Sequence, residues 1–78
     1  MDFVFDIGAG YVLFEAKYTE NADKSDIKGI KAFEKLYGKG SVTAAYVVCN
    51  TEASYELDGV EIINIKDLSG VMQKNGLV

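Results

Sequence analysis

Asp2, Glu15 and Lys17 are the residues of this 78-residue chain whose types and spacing could do chemistry. Asp2 and Glu15 offer hard carboxylate oxygens of the kind that Mg²⁺ takes, and Mg²⁺ commonly uses one or two such groups together with waters and substrate phosphates. Two facing carboxylates repel each other, and they persist together mainly when a cation lies between them. A lysine beside the pair could stabilise charge building up on a scissile phosphate, or help deprotonate the attacking water.

These three side chains can cooperate only if the backbone gathers them, and the stretch DFVFDIGAGYVLFEAK reads as the hairpin that does so. Residues 3–7 form a short apolar run, Gly8-Ala9-Gly10 supplies the turn, and residues 11–18 form the second strand. The period of two in that strand puts Tyr11, Leu13, Glu15 and Lys17 on one face. Asp2 joins them only in one register. A Gly8-Ala9 loop pairs residue 7 with residue 10 and sets Asp2 opposite Glu15, Val4 opposite Leu13 and Asp6 opposite Tyr11. A shift of one residue would set Asp2 opposite Ala16, away from Glu15. The first register is favoured because it collects the charged groups at one end.

Behind the hairpin, a polar linker leads to a helix whose N-cap is Asp23 or Ser25, with Asp26 in the first turn and Gly38 as C-cap. Ile27, Ile30, Phe33, Leu36 and Tyr37 are expected to form its apolar face. Lys24, Lys28, Lys31 and Lys35 fall in a stripe on the opposite side, readable as a solvated face or as a weak phosphate-tracking surface. Residues 41–49 read as a strand buried on both faces, parallel to residues 11–18 through a right-handed crossover. Residues 55–57 and the Asp58-Gly59 turn lead to a last strand at the sheet edge over 60–65. Residues 66–74 are expected to form a short helix that carries Leu68, Val71 and Met72 inward and stops at Asn75-Gly76. The expected architecture is α/β, a single domain over residues 1–78: a mixed sheet of about four strands, one crossover helix and a short C-terminal helix.

An aspartate, about a dozen residues, then Glu-x-Lys at the end of the next strand, followed by a helix and a strand, resembles the PD-(D/E)xK, or restriction-endonuclease-like, nuclease superfamily. More narrowly, DFVF, VLFEAKYTENADKSDIKGIKAFEKLYG and AAYVVCN followed by GVEIINIKDL look similar to the nuclease-like domain at the C-terminus of many archaeal and bacterial AAA-type ATPases. The likeness runs from Asp2 to about Leu68. It implies a metal-binding Asp2, a second acidic ligand in Glu15, a catalytic Lys17 and Mg²⁺ or Mn²⁺ held by Asp2, Glu15 and the Ala16 carbonyl, with DNA as substrate. The proline that often precedes the aspartate is replaced by Met1. The superfamily core also begins with a helix and a strand that would precede Asp2, so a truncated gene or an excised domain is expected. A non-catalytic interaction module that keeps the fold is the alternative.

An acidic-x-Lys triplet is a weak signal by itself. With 12 acidic residues and 8 lysines in the chain, chance supplies roughly one. A second triplet, Asp26-Ile27-Lys28, lies in the helix, where residues i and i+2 do not face each other. Glu15 and Lys17 could also be a plain salt bridge at an exposed hairpin end. Asp6 and Glu20 read as solvated charges.

Composition narrows the field further. The chain has no histidine and one cysteine, Cys49, which excludes an internal disulfide and a Cys–His or Ser–His pair within one subunit. Every basic residue is a lysine and the net charge is −4, the wrong sign for tight autonomous binding of DNA. No stretch reaches the roughly 18 apolar residues of a membrane helix, and the N-terminus lacks a signal-peptide pattern, so a cytoplasmic protein is expected. The apolar first strand is an open sheet edge, which predicts a homodimer or higher oligomer that covers it.

Overall fold

The structure is a computed structural model that describes residues 2–78; Met1 lies outside the described residues. Five strands form one mixed sheet in the order β1-β2-β3-β5-β4: β1 (Phe3–Asp6), β2 (Tyr11–Ala16), β3 (Val42–Cys49), β4 (Tyr55–Leu57) and β5 (Val60–Asn64). Helix α1 (Lys28–Tyr37) links β2 to β3, and α2 (Leu68–Lys74) follows β5. β2, β3 and β5 run parallel, while β1 and β4 are antiparallel edges.

Side-chain alternation along the strands separates two cores. Leu13, Val47, Cys49, Val60 and Ile62 face α1, where they bury Ile27 and Ile30. Val12, Phe14, Tyr46, Val48 and Ile63 face the other way, against Leu68, Val71 and Met72 of α2. The sheet is thus sandwiched between one helix on each face, and β3 is buried on both faces over its second half. Phe14 stacks on Tyr46 with ring centroids 5.1 Å apart, and Asn75 Nδ2 donates to the Tyr46 hydroxyl at 2.8 Å, which fixes the end of α2 to the sheet. No helix among the described residues is long and apolar enough to cross a membrane.

The hairpin register follows from its turn. The Ile7 N–H donates to the Gly10 carbonyl at 3.0 Å, leaving Gly8 and Ala9 as a two-residue loop. Gly8 has φ +84° and is the loop residue with positive φ, the pattern of a type II′ turn. Gly10 is needed for a different reason: a Cβ there would stand 2.7 Å from the Ser41 carbonyl oxygen and 2.8 Å from Thr43 Cγ2. β2 and β3 change register beside it, between Tyr11 and Val12, and Thr43 Oγ1 donates to the Tyr11 carbonyl at 3.1 Å.

Two expectations need correction. The sheet has five strands, and β5 is interior, because residues 55–57 form the edge strand themselves. Asp58 (φ 50°) and Gly59 (φ 83°) both adopt positive φ, which folds β4 back on β5 through a tight turn, with Leu57 opposite Val60. A three-residue strand is too short to show a period. The second correction concerns Leu36, which is 77% exposed. It lies about 120° around the helix from Ile30 at 100° per residue, so the packed face consists of Ile27, Ile30 and Phe33. Tyr37 is half-exposed and packs on Phe33, with centroids 4.5 Å apart.

Candidate functional site

The strand ladder pairs Phe3 with Phe14, Val4 with Leu13, Phe5 with Val12 and Asp6 with Tyr11. One further step sets Asp2 opposite Glu15, the register expected from the sequence. Counting from the hydrogen-bonded 7–10 pair, the 2–15 pair falls in the non-hydrogen-bonded class, whose side chains approach most closely. Glu15 and Lys17 therefore belong to the α1 face of the sheet, at the end of the hairpin remote from its turn, and Asp2 would share that face in the continued register.

The backbone at this end is held from both sides. The Lys17 N–H donates to the Val48 carbonyl at 2.9 Å, so β2 stays on β3 one residue beyond its strand limit. The Ala16 N–H points the other way, toward β1, and donates to Asp2 Oδ2 at 2.7 Å. The aspartate thereby closes the ladder with its side chain. A carboxylate offers about four lone-pair directions, so this single donor does not exhaust it. Because N–H and C=O of one strand residue point the same way, the Ala16 carbonyl lies on the Asp2 side as well.

Lys17 Nζ lies 3.7 Å from Glu15 Oε1 and 4.0 Å from Asp26 Oδ1. The side chains of Glu15 and Asp26 are 14% and 19% exposed, against 34% for Lys17. Asp26 is the member that the sequence reading missed. It is delivered by a 3₁₀ turn, Lys24–Ile27, that precedes α1 and begins with a reciprocal cap. Asp23 Oδ1 accepts from the Ser25 N–H and hydroxyl at 2.9 and 2.6 Å, while Asp26 Oδ2 accepts from the Asp23 N–H at 2.9 Å. The hydrogen bonds from the Ser25 side chain and backbone hold the Asp23 carboxyl below its ordinary range. The Asp-x-x-Asp spacing was the signal available: it turns the second acid back toward the linker that leaves Lys17.

Among the described residues, no three His, Cys, Asp or Glu side chains form a cage able to hold a metal on their own. The oxygen donors available at this end of the hairpin are the carboxylates of Asp2 and Glu15 and the Ala16 carbonyl, the type that Mg²⁺ would take together with waters. A crevice of about 600 Å³ is lined by Glu20, Asn21, Asn50, Thr51, Glu52 and Tyr55 among others; none of the three predicted residues lines it.

The four stripe lysines are all exposed. Lys31 is committed elsewhere, donating to the Asp58 carbonyl and pairing with Glu34 at 3.2 Å. The stripe starts next to Asp26 and ends at Lys35, roughly 14 Å farther along at 1.5 Å per residue. Along the chain Lys24 and Lys28 are the members nearest Asp26, and Lys35 is the most remote.

The fold is an α/β/α domain with Glu15 and Lys17 at the carboxyl end of its first parallel strand. The model of the DUF4143 family, a domain of unknown function, matches residues 1–68, and the chain belongs to that family. Neither a curated protein nor a solved structure matches it.

Proposed function

We propose that the domain is a Mg²⁺- or Mn²⁺-dependent phosphodiesterase acting on DNA, a nuclease-like module of the PD-(D/E)xK type. The observation that supports this reading is the hairpin register, Phe3 opposite Phe14, which continued by one residue brings Asp2 across from Glu15, with Lys17 3.7 Å from Glu15. Asp2, Glu15 and the Ala16 carbonyl are the groups that would hold the ion. When bound, such an ion activates a water and draws charge from a phosphate oxygen. Lys17 then places a positive charge where the phosphorane-like transition state becomes more negative, and Glu15 orients the ammonium. Lys24 and Lys28 extend positive charge away from this point and would follow the phosphate backbone, weakly and in a salt-dependent way given the net charge of −4.

Family membership supports reading it as a domain that accompanies an AAA-type ATPase, and a cytoplasmic location is proposed with it. Nicking of supercoiled plasmid in Mn²⁺ tests the activity. Cutting by the native chain that is abolished in Lys17→Ala and Glu15→Ala supports it. Cutting that survives both changes, or is absent in the native chain, overturns it.

A second reading has its own observation. β1 is an edge strand, and Phe3, Val4 and Ile7 are 58%, 45% and 40% exposed. Phe3 and Val4 lie on opposite faces, so a covering element has to flank the strand, as an added strand does, rather than lie on one side of it. In this reading the domain is an interaction module whose β1 edge pairs with a second copy. Light scattering at micromolar concentration tests it: a dimer that dissociates in Val4→Lys supports the pairing, and a monomer contradicts it.

A further inference from the structure

We infer that Asp26 is a positioning residue for Lys17, holding its ammonium beside Glu15; the inference rests on the function proposed above and adds to it a residue of the helix start. Three features of the structure converge on this. The Lys17 ammonium lies between two carboxylates, at 3.7 Å from Glu15 and 4.0 Å from Asp26, on two different elements. The second carboxylate is itself fixed, because its other oxygen accepts the Asp23 N–H at 2.9 Å. Finally, the Lys17 backbone is anchored on β3 through Val48, so the flexible part of the residue is its four-carbon stem alone.

That stem is where restraint matters. A lysine side chain has roughly 2 kcal/mol of rotamer freedom, and a catalytic ammonium that wanders by an ångström loses much of its effect. Glu15 alone cannot supply the restraint, since it stands two residues away on the same strand and would follow the lysine in any local motion of β2. Asp26 provides a fixed point on a separate element. It carries its negative charge in the first helical turn, where the backbone dipole favours an anion.

The isosteric change Asp26→Asn separates the two tasks of this residue. An asparagine Oδ1 still accepts from the Asp23 N–H, so the helix start survives, whereas the charge facing Lys17 is gone. The measurement is the order parameter of the Lys17 Cε methylene from ¹³C relaxation, with plasmid nicking in Mn²⁺ as the companion readout. The expected result is a drop in the order parameter and a fall in kcat of roughly 10- to 100-fold with little change in KM. Asp26→Glu, which keeps the charge, should recover part of both. A Lys17 as ordered in Asp26→Asn as in the native chain overturns the inference. Absence of nicking in the native chain overturns the proposed function, and the order parameter still decides the role of Asp26.

Discussion

The two ends of the β1–β2 hairpin carry the same device with different surroundings. At the turn, Asp6 Oδ1 accepts from the Gly8 N–H at 2.9 Å; at the open end, Asp2 Oδ2 accepts from the Ala16 N–H at 2.7 Å. Both aspartates thus satisfy a backbone donor that the ladder leaves over. Asp6 faces Tyr11 across the strands, beside Gly8, which the turn needs for its positive φ, and Gly10, which has no room for a Cβ. Asp2 faces Glu15, with Lys17 and Asp26 beyond. The two aspartates thus make the same kind of backbone hydrogen bond, and a role for Asp2 in the proposed site rests on the residue across the ladder from it.

The largest difference should come from Lys17→Ala. Removing a single charge-stabilising donor from a phosphoryl site costs on the order of 10²–10³-fold in rate, so plasmid nicking should fall by that much while the circular dichroism spectrum stays native. A fall in activity that tracks lost helix content would instead assign Lys17 to the scaffold.

At the turn end, the largest effect should be on stability. Gly10→Ala pushes a Cβ into the Ser41 carbonyl, and overpacking of this kind costs about 1–3 kcal/mol. Urea unfolding should show the midpoint falling with little change in slope. An unchanged midpoint would mean that β3 yields at the bulge.

The two aspartates can then be compared directly. Asp2→Asn and Asp6→Asn each keep an oxygen acceptor, so both should lie within about 0.5 kcal/mol of the native stability. Only Asp2→Asn should weaken the response to Mn²⁺. Equal loss in both would remove the distinction drawn between the two ends.

The smallest effect concerns pH. The Asp23 carboxyl is held below its ordinary range by Ser25. A group lowered in the folded state binds its proton more readily when unfolded, so its contribution is present above the ordinary carboxylate range and fades as pH falls through the lowered value. Acid titration of unfolding should show this contribution in the native chain and lose it in Asp23→Ala.

Much of this was legible in the residues. Gly8-Ala9 set the loop length, and through it the pairing of Val4 with Leu13 and of Asp6 with Tyr11. The run of valines in residues 41–49 announced an interior strand, and Gly38 and Gly76 marked the helix ends. Three features were not. β4 holds only Tyr55, Glu56 and Leu57, too few for alternation to register, and it is tied down by long-range contacts: the Tyr55 hydroxyl bonds both the N–H and the carbonyl of Ala22 at 2.8 Å. Leu36 sits at the margin of the apolar arc, and the helical period does not record how far round the helix the sheet reaches. Asp26 was dismissed as a helical acid, since an ion pair between a strand end and the following helix depends on how the linker folds, which no local period records.

Calorimetric titration of Mn²⁺ into the native chain, Glu15→Ala and Asp6→Asn tests the central assignment most directly. One ion should bind the native chain and Asp6→Asn with similar heat, and Glu15→Ala should show none. Heat that is absent from the native chain, or undiminished in Glu15→Ala, would contradict a metal site at the open end of the hairpin.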